Sequence, residues 1–339
     1  MTVDLRSDTV TRPTPAMLEA MMHAEVGDDV FGEDPSVNRL QTYAANLFGH
    51  EAALFCPSGT QTNQIAIKVH TQPGDEVICD ELSHVYNYEG GGIAFNSGAS
   101  VRLLQGDRGI ISPEQIIAAI QPDNVHHPRT SLVCVENTCN RGGGGYYSLS
   151  QLQAIRATCQ AHQLPLHMDG ARLFNALVAT GAQPQDMGPL FDSISICLSK
   201  GLGAPVGSLL IGSKAFIQRA MRVRKVFGGG MRQAGYLAAA GHYALSHHID
   251  RLAEDHHRAQ VLAGAIKELG YVTELLPVHT NILVFRLSDA YGADKLRMFL
   301  QEKGIQVVPF GPATLRMVTH LDIDDDMIDY TIKQLKAFG

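Results

Sequence analysis

The chain has 339 residues, of which 45% are hydrophobic and 18% are charged, and its net charge is −7. This composition excludes a disordered or low-complexity protein, and the length predicts one large domain with a smaller one. The negative charge excludes a basic surface for nucleic acid or an anionic membrane and favours a small-molecule partner.

The N-terminal segment MTVDLRSDTV has acidic residues and no apolar core, which is not typical of a secretory signal. No run of about 18 apolar residues follows it. We therefore expect a cytoplasmic protein without a membrane span. The six cysteines form no CxxC pair and several lie in apolar runs, so we expect reduced thiols in the core.

From residue 50 onward, short apolar runs alternate with amphipathic segments of helical periodicity. The runs are EAALFC, DEVICD, SLVCVEN, LPLHMDG and SISICLS. Short runs that are apolar throughout are typical of strands buried on both faces. We predict an α/β fold whose large domain has a mainly parallel sheet flanked by helices, with ligands at the carboxyl edge of the sheet.

The first polar signal in chain order is PSGTQTNQ, which follows EAALFC and opens a helix. It presents backbone N–H groups and hydroxyls of Ser58, Gly59 and Thr60 at the positive end of the helix dipole, which suits a phosphate. The segment lacks the P-loop pattern. It therefore predicts a phosphate cradle of another kind.

Ring side chains follow the next apolar run, at His84, Tyr86 and Tyr88. We select His84 as the ring that would stack on a bound cofactor; the alternative is a buried structural histidine in a turn. Farther along, His126 and His127 precede SLVCVEN, and one of them is a candidate proton-transfer group.

Two ionisable residues end later apolar runs, Asp169 in HMDGAR and Lys200 in SICLSKGLGAPVG. A desolvated lysine tends to become neutral and nucleophilic. The alternatives are a salt-bridged lysine and an aspartate that caps a helix. About one strand–helix–strand step separates the two residues, so both would lie at one sheet edge. The glycines after Lys200 do not match GxGxxG, which disfavours a dinucleotide.

The pattern of apolar and polar residues changes toward the C-terminus. Residues 214 to about 270 have helical composition, and shorter strand-like and helical runs follow. We place an N-terminal segment and large cofactor-binding domain at 1–250 and a small α+β domain at 251–339.

Arginine suits the carboxylate of an amino acid because its planar fork donates two parallel hydrogen bonds. Arg172 lies close to Asp169 in sequence, and Arg316 lies in the apolar run TLRMVTH, where an unpaired guanidinium would be costly. Arg6 is a weaker candidate.

A strand-end lysine, a strand-end aspartate and a phosphate cradle are the needs of pyridoxal 5'-phosphate: an amine for its aldehyde, an anion at its ring nitrogen and an anchor. The histidines give little support for a metal site. Those at 247, 248, 256 and 257 place no clean i, i+4 pair on one helix face, so we predict no metal site.

With these residues in place, the chain resembles the L-threonine aldolases, which include low-specificity and L-allo-threonine aldolases and share the pyridoxal-phosphate fold of aspartate aminotransferase. The resemblance spans essentially the whole chain. It is carried, in order, by DLRSDTVTRPT, VGDDVFGEDP, EAALFCPSGTQTN, HMDGARLFNA, SICLSKGLGAPVGSLL, GGGMRQAG and LRMVTHLD.

The resemblance implies an aldehyde-lyase that cleaves L-threonine or L-allo-threonine to glycine and acetaldehyde through an external aldimine and a quinonoid. It also implies roles for single residues. Lys200 would form the Schiff base, Asp169 would face the ring nitrogen, and His84 would stack on the ring. The phosphate would be held by Ser58, Gly59 and Thr60.

The resemblance further implies that the substrate carboxylate is held by Ser7, Arg172 and Arg316, with Arg172 also near the cofactor. We add Tyr88 to the substrate site. His126 would lie near the β-hydroxyl. Lys225 and Arg232 would reach the neighbouring subunit's site near the phosphate, which implies a homo-oligomer with shared sites, and relatives are usually tetramers.

One segment departs from the family pattern. Cys139 stands where relatives usually have histidine, and four glycines follow at 142–145. We expect a flexible loop here, with a tolerated surface insertion as the simplest interpretation.

Three alternatives to the aldolase activity remain open. One is another pyridoxal-phosphate reaction on the same scaffold, such as phenylserine aldolysis, racemisation or β-elimination. Another is a non-catalytic cofactor-binding protein. The third is a histidine-metal hydrolase.

Overall fold

The computed structural model describes all 339 residues. Thirteen strands run in chain order as β1 Val3–Asp4, β2 Ala52–Cys56, β3 Glu76–Asp80, β4 Ser100–Leu104, β5 Thr130–Glu136, β6 Leu166–Gly170, β7 Ser193–Cys197, β8 Ser208–Gly212, β9 Val272–Leu275, β10 Ile282–Leu287, β11 Ile305–Gln306, β12 Val308–Gly311 and β13 Thr314–Val318.

Thirteen α-helices connect or cover the strands. They are α1 Pro15–Met22, α2 Pro35–Leu47, α3 Gly59–His70, α4 His84–Asn87, α5 Pro113–Ala119, α6 Leu149–Ala161, α7 Leu173–Thr180, α8 Pro184–Met187, α9 Lys214–Val226, α10 Gly235–His247, α11 Leu252–Lys267, α12 Ala293–Glu302 and α13 Asp325–Phe338. No helix combines the length and apolar character that a membrane span requires.

A seven-stranded sheet in the order β2-β8-β7-β6-β5-β3-β4 forms the centre of the molecule. Only β8 runs antiparallel to its neighbours; the pairs from β7 to β4 are parallel. Every residue of β3, β5, β6 and β7 is buried, as expected for strands covered by helices on both faces. The predicted α/β fold with a mainly parallel sheet is confirmed.

A second, antiparallel sheet of order β12-β13-β10-β9 lies in the C-terminal part of the chain. It contributes to a separate cluster of 21 buried apolar residues, most of them from residue 259 onward. Val3 and Leu5 of the N-terminal segment pack into the same cluster, because β1 pairs with β11. The division of domains at residue 250 stays a prediction.

The glycine-rich segment after β5 is not on the surface. Gly142 to Gly145 are all buried, and a Cβ on Gly142 would collide with the carbonyl oxygen of Arg108. The Arg108 side chain holds the segment, donating from Nε to the Gly142 carbonyl at 2.9 Å and from Nη2 to the Pro277 carbonyl at 3.1 Å. The expected surface insertion is wrong in its placement, because composition alone does not show what covers a loop.

Candidate functional site

Asp169 lies near the carboxyl end of β6 and is only 3% exposed. Its Oδ2 accepts a hydrogen bond from Asn63 Nδ2 at 2.9 Å, and its Oδ1 accepts from the backbone N–H of Ala171 at 3.2 Å. Asn63 belongs to α3, the helix whose first residues form the predicted phosphate cradle. The strand-end carboxylate and the cradle helix are therefore joined directly.

His84 begins α4 beside Asp169. Its Nδ1 lies 2.9 Å from Glu89 Oε1, and its backbone N–H donates to Glu136 Oε2 at 2.9 Å. One side-chain nitrogen or carboxylate oxygen of each of His84, Glu89 and Asp169 lies within 4.8 Å of the other two. Burial opposes a charge on the imidazole, but the hydrogen bond to Glu89 and the charge of Asp169 outweigh it and raise the pKa of His84.

Lys200 follows β7, which pairs in parallel with β6 and brings Ser195 opposite Asp169. The lysine is half-buried. Its charge lies near enough to His84 and Asp8 to act on the pKa of each. The structure thus brings Lys200, Asp169 and His84 to one edge of the sheet, because parallel strands end their polar segments on the same side.

The cradle residues begin α3 at the same edge. Ser58 is the N-cap, and its Oγ accepts a hydrogen bond from the Gln61 N–H at 3.2 Å. Ser58 and Thr60 are exposed, whereas Gly59 is half-buried against the end of β7. A Cβ on Gly59 would stand 2.6 Å from Cys197 Sγ, so only glycine lets the helix start this close to the sheet.

Arg172 is buried and its fork is occupied by Asp8. Nε and Nη2 donate to the two carboxylate oxygens at 2.7 and 2.6 Å. Burial alone would raise the pKa of Asp8, but the charge of Arg172 outweighs it and lowers that pKa to about 2. Ser7 lies next to this pair, with Oγ 3.4 Å from Asp8 Oδ1.

Arg316 lies in β13 and is 9% exposed. Nη1 donates to Asn140 Oδ1 at 2.8 Å and Nη2 donates to the Arg6 carbonyl at 2.9 Å, while the buried Nε has no partner. Burial, together with the charge of Arg172, lowers the pKa of Arg316 to about 10. An unpartnered, desolvated guanidinium edge favours an incoming anion.

Four predicted site residues lie farther out. Tyr88 is half exposed, with its ring centroid 5.7 Å from that of His84. Lys225 and Arg232 are exposed near the end of α9, where Arg232 pairs with Asp28 at 2.9 Å. His126 is exposed in the loop before β5, at the amino end of the strand and opposite the edge that holds Asp169. The structure does not bring His126 to the other residues within one chain.

Several site residues were not identified from the sequence. They are polar groups that hold the predicted ones: Asp8, Asn63, Glu89, Glu136 and Asn140. Glu136 ends β5 and is buried; desolvation, then the nearby charge of Asp169, raise its pKa to about 7. Three of these five, Asp8, Asn63 and Glu136, lie inside motifs quoted above, so the polar residues of those motifs were the signal available.

Comparison with known proteins identifies relatives of this chain. The family model described as β-eliminating lyase matches residues 4–290. The low specificity L-threonine aldolase of Escherichia coli O157:H7 is 43% identical over 337 residues, which cover 99% of each chain.

Solved structures with this fold are also similar. A threonine aldolase of Leishmania major superposes with a TM-score of 0.86 at 23% identity over 99% of each chain. A lysine-to-alanine variant of a serine palmitoyltransferase from S. paucimobilis, with a bound PLP–myriocin aldimine, superposes with a TM-score of 0.77 at 18% identity, covering 100% of this chain and 87% of the other. At these identities the two structures establish the fold.

Proposed function

Because this chain belongs to the β-eliminating lyase family and is 43% identical to a low specificity L-threonine aldolase over 99% of its length, we propose that it is a carbon–carbon lyase of that activity. It cleaves L-threonine and L-allo-threonine to glycine and acetaldehyde. The observation that carries this proposal is the juxtaposition of Lys200, Asp169 and His84 at one sheet edge, next to the N-terminus of α3.

The residues fit pyridoxal 5'-phosphate. A Cβ on Gly59 would touch Cys197, so glycine lets α3 begin close to β7, and the backbone N–H groups at this helix start, with the hydroxyls of exposed Ser58 and Thr60, would hold the phosphate. The carboxylate oxygens of Asp169 accept hydrogen bonds from an amide and a backbone N–H, an arrangement that suits a carboxylate facing a protonated ring nitrogen. Lys200 supplies the amine that holds the aldehyde.

When bound, pyridoxal phosphate joins the substrate's amino group covalently and accepts the electron pair that is released at the α-carbon. The chain's own residues bind the substrate and transfer the protons. The free Nε edge of Arg316 binds the substrate carboxylate, with Ser7 beside it. Arg172, whose Nε and Nη2 are engaged by Asp8, has only its remaining donors for a ligand.

His84 takes the proton of the β-hydroxyl, and this proton transfer accompanies cleavage of the bond between the α- and β-carbons. Its ring is partly exposed beside Asp169, and its raised pKa makes it a stronger base than an ordinary histidine. Tyr88, next to it, borders the space for the substrate side chain. The role of His126 stays a prediction.

The protein acts as a homo-oligomer, with Lys225 and Arg232 completing the neighbouring subunit's site in a dimer and two dimers forming a tetramer. Exposed apolar side chains lie beside these two residues: Phe31 is 73% exposed and within 5.9 Å of the Arg232 guanidinium, and Val226 is 81% exposed. Apolar residues left this exposed in one chain favour burial against a second copy. The cytoplasm is the compartment that we propose.

The family description favours β-elimination as the second candidate reaction. β-Elimination from threonine releases ammonia and a 2-oxo acid, whereas aldol cleavage releases acetaldehyde with glycine. The purified holoenzyme is therefore incubated with L-threonine, L-allo-threonine and their D-forms, and aldehyde, glycine and 2-oxo acid are measured. We expect aldehyde and glycine in equal amounts from the L-forms. Release of 2-oxo acid without aldehyde would replace the aldolase proposal by β-elimination.

A further inference from the structure

Glu89 is a buried carboxylate at the centre of the site for which the proposed reaction has no role. Its side chain is fully buried, although His84 beside it is 30% exposed. Three side-chain donors contact its oxygens: His84 Nδ1 and Asn63 Nδ2 reach Oε1 at 2.9 Å each, and Gln64 Nε2 reaches Oε2 at 2.6 Å. Buried carboxylate oxygens require hydrogen-bond donors, and these three side chains supply them to Glu89.

Asn63 links this carboxylate to Asp169. One hydrogen of its Nδ2 goes to Glu89 and the other to Asp169, both at 2.9 Å. A further hydrogen bond fixes the orientation of this amide, because Asn63 Oδ1 lies 3.1 Å from His167 Nε2. Burial lowers the pKa of His167 to about 4, so this histidine is neutral and donates its Nε2 proton to Asn63 while Nδ1 accepts from Ser193.

Three glycines after Glu89 turn the chain so that the carboxylate points back into the site. Gly90 and Gly91 have φ values of 64° and 72°, the left-handed region that favours glycine. A Cβ on Gly92 would stand 2.5 Å from Gln64 Cδ, so glycine there leaves Gln64 the space to reach Glu89. The EGGG segment thus builds the environment of one carboxylate.

We propose that Glu89 is the positioning residue of His84: by accepting the Nδ1 proton it fixes the ring orientation and leaves Nε2 as the atom that exchanges protons with the substrate. This inference rests on the proposed aldol cleavage. In that reaction the β-hydroxyl O–H bond breaks and an Nε2–H bond forms, giving an imidazolium opposite Glu89. The cycle closes when one proton is returned to the α-carbon of glycine, from Nε2 or through water.

The charges around His84 decide its proton affinity together. The charged groups near it are Glu89 from the EGGG segment, Asp169 from β6, Glu136 from β5 and Lys200 after β7, and the ring of Tyr88 lies beside it at the end of α4. Glu89 and Asp169 raise the pKa of His84, whereas Lys200 lowers it. Only Glu89 bonds the ring itself, so removal of its charge is the most selective perturbation.

The test compares Glu89→Gln and Glu89→Asp with Glu81→Gln, a control that removes an exposed carboxylate from the turn between β3 and α4. Protein labelled with 15N-histidine and free of cofactor is titrated by NMR, and His84 is assigned by loss of its signals in His84→Asn. We expect the native neutral ring to carry its proton on Nδ1. In Glu89→Gln we expect the His84 pKa to fall by about 1 unit, in the range that loss of an adjacent opposite charge produces.

The same variants are assayed as holoenzyme for kcat/KM against pH. For Glu89→Gln we expect a plateau about 100-fold lower, at the lower end of the range of general-base effects, with the acidic limb moved to lower pH. Glu89→Asp keeps the charge and should keep the acidic limb near its native position, and Glu81→Gln should match the native profile. In a His84→Asn background, Glu89→Gln should cause no further loss of kcat.

The inference is overturned by a native His84 that carries its proton on Nε2, or by a Glu89→Gln holoenzyme whose acidic limb is unmoved. Additive losses in the double variant would also overturn it, because Glu89 would then act through Asn63 and not through His84. Absence of aldehyde from the native enzyme contradicts the proposed function alone. The NMR tautomer still decides the Glu89–His84 contact in that case.

Discussion

The Asp8–Arg172 ion pair shows how single residues couple the site to stability. Both side chains are buried, and the folded-state pKa of Asp8 is depressed to about 2. A depressed carboxyl pKa contributes stability that is present above the unfolded pKa of 3.8 and is lost as pH falls from about 4 toward 2. The shift corresponds to about 2 kcal/mol of the free energy of unfolding.

For Asp8→Asn we therefore expect a loss of roughly 3–5 kcal/mol in the free energy of unfolding at pH 7, because Arg172 is left as an unpaired buried charge. The difference from the native protein should narrow below pH 4, because the unfolded carboxyl then binds a proton that the folded Asp8, with its pKa of about 2, does not bind. Urea unfolding of the cofactor-free protein at pH 7 and pH 3 measures this. The control Asp294→Asn breaks an exposed pair with Arg297 and should change stability by less than about 0.5 kcal/mol.

Lys200 is the residue on which the cofactor assignment depends. We expect Lys200→Ala to bind pyridoxal phosphate without a covalent bond and to lose about 1,000-fold or more of kcat, because covalent catalysis needs the amine. Borohydride reduction followed by peptide mass analysis locates the cofactor in the native protein. Cofactor on a peptide without Lys200 would contradict the assignment.

At the scale of secondary-structure elements, the site depends on how closely α3 approaches the sheet. The helix begins at Gly59, next to Cys197 at the end of β7, and Thr62 Oγ1 in its first turn lies 2.6 Å from Ser195 Oγ of the same strand. A phosphate is held by N–H groups that the helix start aims outward, and their position is set by this contact. A shift of the helix moves the anchor.

Gly59→Ala tests that contact. The new Cβ would stand 2.6 Å from Cys197 Sγ, so we expect a loss of roughly 1–3 kcal/mol of stability, as overpacking typically costs, and weaker binding of pyridoxal phosphate. The matched control is Gly264→Ala in α11, where a Cβ meets nothing within 4 Å and should stabilise the helix by roughly 0.5–1 kcal/mol. Thermal unfolding and cofactor titration measure both; equal affinity and melting temperature in Gly59→Ala would refute the contact's role.

At the scale of the whole molecule, one chain assembles most of the site but leaves Lys225 and Arg232 exposed at its margin. His126 is exposed on the opposite side of the sheet. A closed two-fold dimer places the same surface of each copy against the other, so a marginal residue of one copy can enter the site of its partner. Complementation between two inactive variants can therefore test whether the site is shared between subunits.

Lys200→Ala and Arg232→Ala are prepared separately, mixed after mild denaturation and reassembled. If Arg232 acts in the partner's site, each variant is nearly inactive alone, while half of the mixed dimers are hybrids that each regain one native site. We expect up to about one quarter of the native aldehyde-releasing activity per site. A mixture that stays as inactive as its components would show that both residues act in the same chain's site.

The sequence by itself determined the α/β fold with a mainly parallel sheet, because burial on both faces leaves a local, readable pattern of apolar runs. It also placed Lys200, Asp169 and the start of α3 at one edge, since the polar residues after parallel strands meet there. These inferences use only the local sequence pattern and the rule that the residues after parallel strands meet at one edge of the sheet.

The tertiary structure alone decided which polar groups hold those residues. Asp8 meets Arg172 across 164 residues of chain, and Asn63 meets Asp169 across 106. It also showed that Glu89 contacts Nδ1 of His84 and that the Arg108 side chain covers the four-glycine loop. Such contacts leave no periodic trace in the sequence, because the partner of a buried charge is set by packing among distant elements, and only the folded chain brings them together.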